Sequence, residues 1–197
     1  LKSKNDSSGV FKRFVAKGVF PHQFAFTLLV PLRNIFLSPA KLIQRLKLKK
    51  DMNVLEIGAG PGYFAVKIAD VLINGKLILA DIQKEMLDYA KKRIDKKKLK
   101  NIEYYLCDGE KFNFPDDTFD RIYMVTVIGE IENKELYMNE FYRILKPGGI
   151  LSVSELAGDP DKMTAKEVEE LTTISGFKFH KIFGSKKNYT VNFIKPG

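Results

Sequence analysis

The residues best suited to chemistry begin in the stretch Val-Leu-Glu-Ile-Gly-Ala-Gly-Pro-Gly, Val54 to Gly62. A short apolar run suited to a buried strand carries Glu56 near its end. Gly58, Gly60 and Gly62 then alternate with Ala59 and Pro61, ahead of a segment with helical apolar spacing. Residues without Cβ let backbone approach a ligand closely, and the start of a helix favours a carboxylate or phosphate. Asp81 stands 23 positions after Gly58, at the expected end of the next strand, where a carboxylate can accept both hydroxyls of a ribose. That spacing suits any adenosine-bearing cofactor. The glycines read G-x-G-x-G with Tyr63 at the sixth position, which departs from the G-x-G-x-x-G of NAD enzymes, and the Gly-Lys pair of a P-loop is missing. An adenosine with an amino-acid tail fits without a phosphate requirement, its carboxylate and ammonium meeting the loop amides and a nearby acid such as Glu56.

The elements that must position these residues alternate regularly. Ser38 and Pro39 start a helix to about Leu46. Strands are expected over Asn53 to Ile57, Lys76 to Asp81, Ile102 to Leu106, Phe119 to Val127 and Ile150 to Glu155. A helix from about Gly62 to Gly75, one carrying Leu87, Ala90 and Ile94, and one over Asn133 to Leu145 lie between them, with a turn at Lys146 to Gly149. This alternation predicts an α/β fold, a doubly wound, mostly parallel sheet with helices on both faces. Thr164 and Glu167 form a capping box for a helix to about Ser175, stopped by Gly176. Phe177 to Phe183 and Tyr189 to Ile194 then form an antiparallel C-terminal hairpin. The whole reads as a single domain, 1–197. Its core is 51–197, preceded by an N-terminal helical cap over 10–50 whose apolar-rich part, 10–37, could floor a substrate site, pack into the core or lie on a membrane surface.

Composition narrows the partners. The chain has 197 residues, one cysteine, Cys107, and two histidines, which argues against a disulfide framework or a structural zinc site and suits a reducing, cytoplasmic setting. No run is long enough to span a membrane, and the first residues lack the layout of a signal peptide. The net charge of +9 is concentrated in Lys91 to Lys100, where seven of ten residues are basic. The end of a helix in an open α/β sheet faces away from the ligand edge. This cluster therefore reads as a solvated surface rather than a nucleic-acid footprint, which would interleave aromatics. Asp116, Asp117 and Asp120 read as turn residues, and no metal is expected.

Taken together, Glu56 to Gly62, Asp81, Cys107-Asp108-Gly109, Phe119-Asp120 and Leu145-Lys-Pro-Gly-Gly149 resemble class I S-adenosylmethionine-dependent methyltransferases, most closely the small quinone-biosynthesis-type, methyltransferase type 11-like group. The motifs span about residues 52–155. The resemblance implies a Rossmann-like, seven-stranded sheet and S-adenosylmethionine as cofactor, with S-adenosylhomocysteine as product. It implies that the loop (Gly58, Ala59, Gly60, Gly62) and Glu56 hold the methionine part and Asp81 the ribose. It further implies Asp108 and Gly109 at the adenine, Ile82 and Met86 along the adenosine, and Val125 and Thr126 near the sulfonium. Asp108 could instead cap its turn.

The expected reaction is methyl transfer to an apolar small-molecule acceptor, with alignment and water exclusion as the protein's main contributions. Glu130 and His22 are the candidates for substrate contact or general base. Val125 to Glu130 lacks the Asn/Asp-Pro-Pro-aromatic motif of amino-methylating nucleic-acid enzymes with this fold. Alternative readings are a cofactor-binding module without turnover, an NAD(P)-dependent reductase, and an RNA or protein methyltransferase.

Overall fold

The structure, a computed structural model, describes residues 37–109 and 111–197. The apolar-rich segment proposed as a cap, and His22 within it, lie outside the described residues except for Leu37, which is fully buried. Helix α1 (Pro39–Leu46) starts where Ser38 and Pro39 place it, the Ser38 hydroxyl accepting from the Lys41 N–H at 3.3 Å. Strands β1 (Asn53–Ile57), β2 (Lys76–Asp81), β3 (Ile102–Leu106), β4 (Phe119–Val125), β5 (Leu145–Glu155), β6 (Lys178–Gly184) and β7 (Tyr189–Ile194) form one sheet ordered β3-β2-β1-β4-β5-β7-β6. The first five are parallel. Strand β7 runs antiparallel to both β5 and β6, as the C-terminal hairpin predicts.

Strand alternation divides the core into two layers. Leu55, Ile57, Ile122, Met124, Leu151 and Val153 face α4 (Lys134–Ile144) and α5 (Ala165–Ile174), where Tyr137, Met138, Phe141 and Val168 are buried. Val54, Leu77, Leu79, Tyr123 and Val125 face α1, α2 (Ala65–Val71) and α3 (Lys84–Asp95), against Leu42, Ile68, Ala90 and Ile94. Chain order reverses between β1 and β4, and this is the switch point where open α/β sheets form their ligand crevice.

Several boundaries differ from the sequence expectation, each for a local reason. Helix α2 begins at Ala65 instead of Gly62 and is over by Val71, because Gly62 has φ +69° and the Gly62 N–H closes a turn onto the Ala59 carbonyl at 3.0 Å. Strand β4 stops at Val125 because Thr126 takes φ +56°, outside β geometry. Strand β5 begins at Leu145, five residues early. Lys146 to Gly149 are not a free turn but an irregular part of that strand: Leu145 pairs with Phe119, the register then shifts, and Gly148 and Gly149 exchange backbone hydrogen bonds with Lys195. The Thr164–Glu167 capping box is present.

Candidate functional site

The carboxyl ends of β1, β2, β3 and β4 open into a cavity of about 450 Å³. Of the residues named from sequence, Glu56, Gly58, Ala59, Gly60, Asp81, Ile82, Met86, Asp108, Gly109, Val125, Thr126 and Glu130 all border it. Tyr63, Phe64, Gln83, Cys107 and Tyr137 join them, as do Val127 and the Ile131 to Asn133 turn. Among the cofactor-site residues named from sequence, Gly62 is the exception. Its absent side chain instead admits helix α3, since a Cβ there would lie 3.1 Å from Ile94 Cδ1 and 3.4 Å from Ala90 Cβ.

The glycine cradle is set by close approach across the switch point. Gly58 has φ +64°, and an added Cβ would stand 2.4 Å from Val127 Cγ2. No other residue type combines that backbone angle with that contact. Asp81 fixes the loop from the β2 side, its Oδ2 accepting from the Gly60 N–H at 2.8 Å and its Oδ1 from the Gln83 N–H at 2.9 Å. Each carboxylate oxygen offers about two acceptor positions, so both retain capacity for a ligand hydroxyl. Burial pushes the Asp81 carboxyl up, while the N–H groups of Gln83, Gly60 and Ile82 favour the anion. Glu56 is buried on β1 beside Tyr123 of β4. Burial raises the Tyr123 hydroxyl first, and the Glu56 carboxylate next to it adds to the effect.

The β3 side is organised by an aromatic cluster. Tyr105, Phe112, Phe114, Tyr137 and Phe141 pack ring to ring, and Arg143 donates to the carbonyls of Phe112 and Phe114 at 2.8 Å each. Asp108 makes the turn-capping contact of its alternative reading, accepting from the Lys111 N–H at 3.2 Å, and it also borders the cavity, as the cofactor reading requires. Burial raises the Cys107 thiol to about 12, keeping it protonated at neutral pH. Asp116, Asp117 and Asp120 pair with Arg143, Lys195 and Lys146 respectively.

Three features escaped sequence reasoning. Thr126 is a β-branched residue at positive φ, a backbone strain of about 1–3 kcal/mol placed at the cavity wall and held by its N–H to the Ser154 carbonyl at 2.8 Å. Glu155, at the end of β5, is fully buried, and burial followed by Asp159 raises it to about 8. Arg93 contradicts the reading of the whole Lys91–Lys100 cluster as facing away from the site. From α3 the Arg93 side chain reaches the glycine loop, its Nε donating to the Pro61 carbonyl at 3.1 Å and its Nη2 to the Gly62 carbonyl. Charge counting cannot see such a reach, because it depends on a contact between residues 31 and 32 positions apart.

The arrangement fits an adenosine with an amino-acid tail. A cradle that a Cβ would fill, a buried strand-end acid with spare acceptors, and apolar walls from Ile82, Met86 and Phe64 are the chemistry such a molecule needs.

Comparison with known proteins agrees. A family model described as a methyltransferase domain matches residues 48–191. The ubiquinone/menaquinone biosynthesis C-methyltransferase UbiE of Pseudomonas entomophila is 34% identical over 115 residues, 57% of this chain and 45% of that protein. UbiE of Francisella tularensis subsp. novicida is 34% identical over 124 residues, 62% and 50% of the two chains. The chain thus spans about half the length of the curated relatives it matches. Its fold is that of a SAM-dependent methyltransferase from Aquifex aeolicus, with a TM-score of 0.85 at 24% identity over 90% of this chain and all of the other. The match over most of its length, joined to the cradle and acids at the sheet's switch point, places this chain in the methyltransferase-domain family, among the class I S-adenosylmethionine-dependent enzymes.

Proposed function

We propose that this chain transfers a methyl group from S-adenosylmethionine to an apolar, quinone-related small molecule in a cytoplasmic setting. The observation that carries this reading is the cavity at the β1/β4 switch point, bordered by the glycine loop and Asp81 on one side and by Glu130 on the other. Glu56 and the loop amides would hold the amino-acid part, Asp81 the ribose, and Ile82, Met86, Asp108 and Gly109 the adenine end. When bound, the cofactor supplies a methyl group activated by its sulfonium, with a neutral thioether leaving. Val125 and Thr126 wall the cavity at the end of β4, where they limit water and orient the acceptor.

Glu130, in the 3-10 turn Ile128–Glu130, borders the cavity, which supports it as the group that takes the proton of a hydroxyl acceptor. His22 keeps the same candidacy. The acceptor class is supported by the quinone-biosynthesis relatives and by the apolar lining, and no helix among the described residues is long and apolar enough to cross a membrane.

The test is S-adenosylhomocysteine formation by the purified chain with a panel of hydroquinones, simple phenols and amines. Turnover is expected with hydroquinones. Glu130→Gln is expected to lower kcat by about 100-fold with little change in KM for S-adenosylmethionine. Turnover confined to amines, or an unchanged kcat in Glu130→Gln, contradicts the acceptor class or the base assignment respectively.

A further inference from the structure

The glycine loop carries a cation on its outer side. Arg93 is half-buried at the end of α3, and its guanidinium donates to two successive loop carbonyls, those of Pro61 and Gly62. These carbonyls belong to the turn that precedes α2, and α2 has no side-chain cap of its own at Phe64. In a trans peptide the carbonyl of one residue and the N–H of the next point in opposite directions. Holding the Gly62 carbonyl toward Arg93 therefore turns the Tyr63 N–H away from α3, and Tyr63 is a cavity residue. Helix α3 is seated closely enough for this because Gly62 has no side chain: Ile94 and Ala90 occupy that space.

The charge matters as well as the donors. Burial pulls Arg93 down from its ordinary value, yet a guanidinium stays cationic in a protein. The Glu56 carboxylate favours that cation, so Arg93 and Glu56 act on each other across the loop. The loop is thus held between an acid on its inner side and a cation behind it. A cation behind the loop raises the potential where a carboxylate would sit and offsets the charge of Glu56.

We propose that Arg93 is a positioning residue for the amino-acid end of the cofactor site, fixing the Pro61–Tyr63 backbone and supplying the positive field that a bound carboxylate meets. This rests on the S-adenosylmethionine reading above and assigns part of its affinity to a side chain outside the cavity lining. Two ligands separate the tail from the rest: S-adenosylmethionine carries the amino-acid group, and 5′-methylthioadenosine shares the adenosine and thioether but lacks it.

Calorimetric titration of both ligands into wild type, Arg93→Ala and Arg93→Lys tests the assignment. Arg93→Ala is expected to weaken S-adenosylmethionine on the order of tenfold or more and 5′-methylthioadenosine by less than about threefold, since charge-assisted hydrogen bonds to the tail's cradle are lost. Arg93→Lys retains the charge without the forked donors and should fall between. It also preserves the comparison if the alanine variant does not fold. In turnover, KM for S-adenosylmethionine should rise while kcat at saturation stays near wild type. Equal weakening of both ligands, or wild-type affinity in Arg93→Ala, overturns the proposal. A wild-type chain that binds neither ligand overturns the cofactor reading itself.

Discussion

Glu155 has a measurable consequence at the scale of one residue. Its carboxyl is buried at the end of β5, with Asp159 and Glu130 raising it further, and only the Met163 backbone and the Lys162 ammonium favouring the anion. Its folded value of about 8 lies above the ordinary 4.5. Between these two values the native chain holds a proton that the unfolded chain has released, so stability falls as pH rises through that window. The loss amounts to a few kcal/mol, on the order of 1.4 kcal/mol per pH unit of difference. Glu155→Gln keeps the shape without the titration. Urea denaturation should find the variant close to wild type at about pH 5 and clearly more stable above about pH 8. Parallel stability curves for the two proteins would place the charge cost elsewhere.

At the scale of elements, the site depends on how tightly the end of β1 meets the segment after β4. Gly58→Ala would bring a Cβ to 2.4 Å from Val127 Cγ2 at a backbone angle of +64°. It should destabilise the fold by about 1–3 kcal/mol and weaken S-adenosylmethionine in titration. Val127→Ala in the same chain should restore part of the stability but not all of it, because the positive φ remains. Full recovery in the double variant would show that the contact alone, and not the backbone angle, requires glycine.

This junction also shows what the sequence discloses. Alternate glycines after an apolar run announce a loop that must come close to something, and Asp81 announces a strand-end acid. The capping box at Thr164 and the hairpin length from Gly184 to Asn188 are equally legible because their signals are local. Element ends are less so. The start of α2 at Ala65 follows from a turn closed by Ala59 and Gly62, and the end of β4 from the conformation of Thr126. Neither is encoded in periodicity. Arg93 and Glu155 were hidden for a different reason: their roles come from neighbours 31 and more residues away or from the depth of burial.

For the whole molecule, the seven-stranded sheet brings the ends of four strands to one crevice, and every cofactor-site residue named from sequence except Gly62 borders it. The topology does this work: β1 and β4 are neighbours in space, so the Glu56–Gly60 segment and the Val125–Glu130 segment face each other although 65 or more positions separate them in sequence. A ligand bound across that crevice contacts both halves of the sheet and should raise thermal stability with the logarithm of its concentration relative to Kd, beyond the point at which the site is full. The central claim, that this crevice is built for S-adenosylmethionine, is tested most directly by isothermal titration of the wild-type chain and Asp81→Ala with S-adenosylmethionine and with NADPH. One S-adenosylmethionine per chain in the wild type, on the order of tenfold or more weaker binding in Asp81→Ala, and no NADPH binding are predicted. Tight NADPH binding without S-adenosylmethionine binding would contradict it.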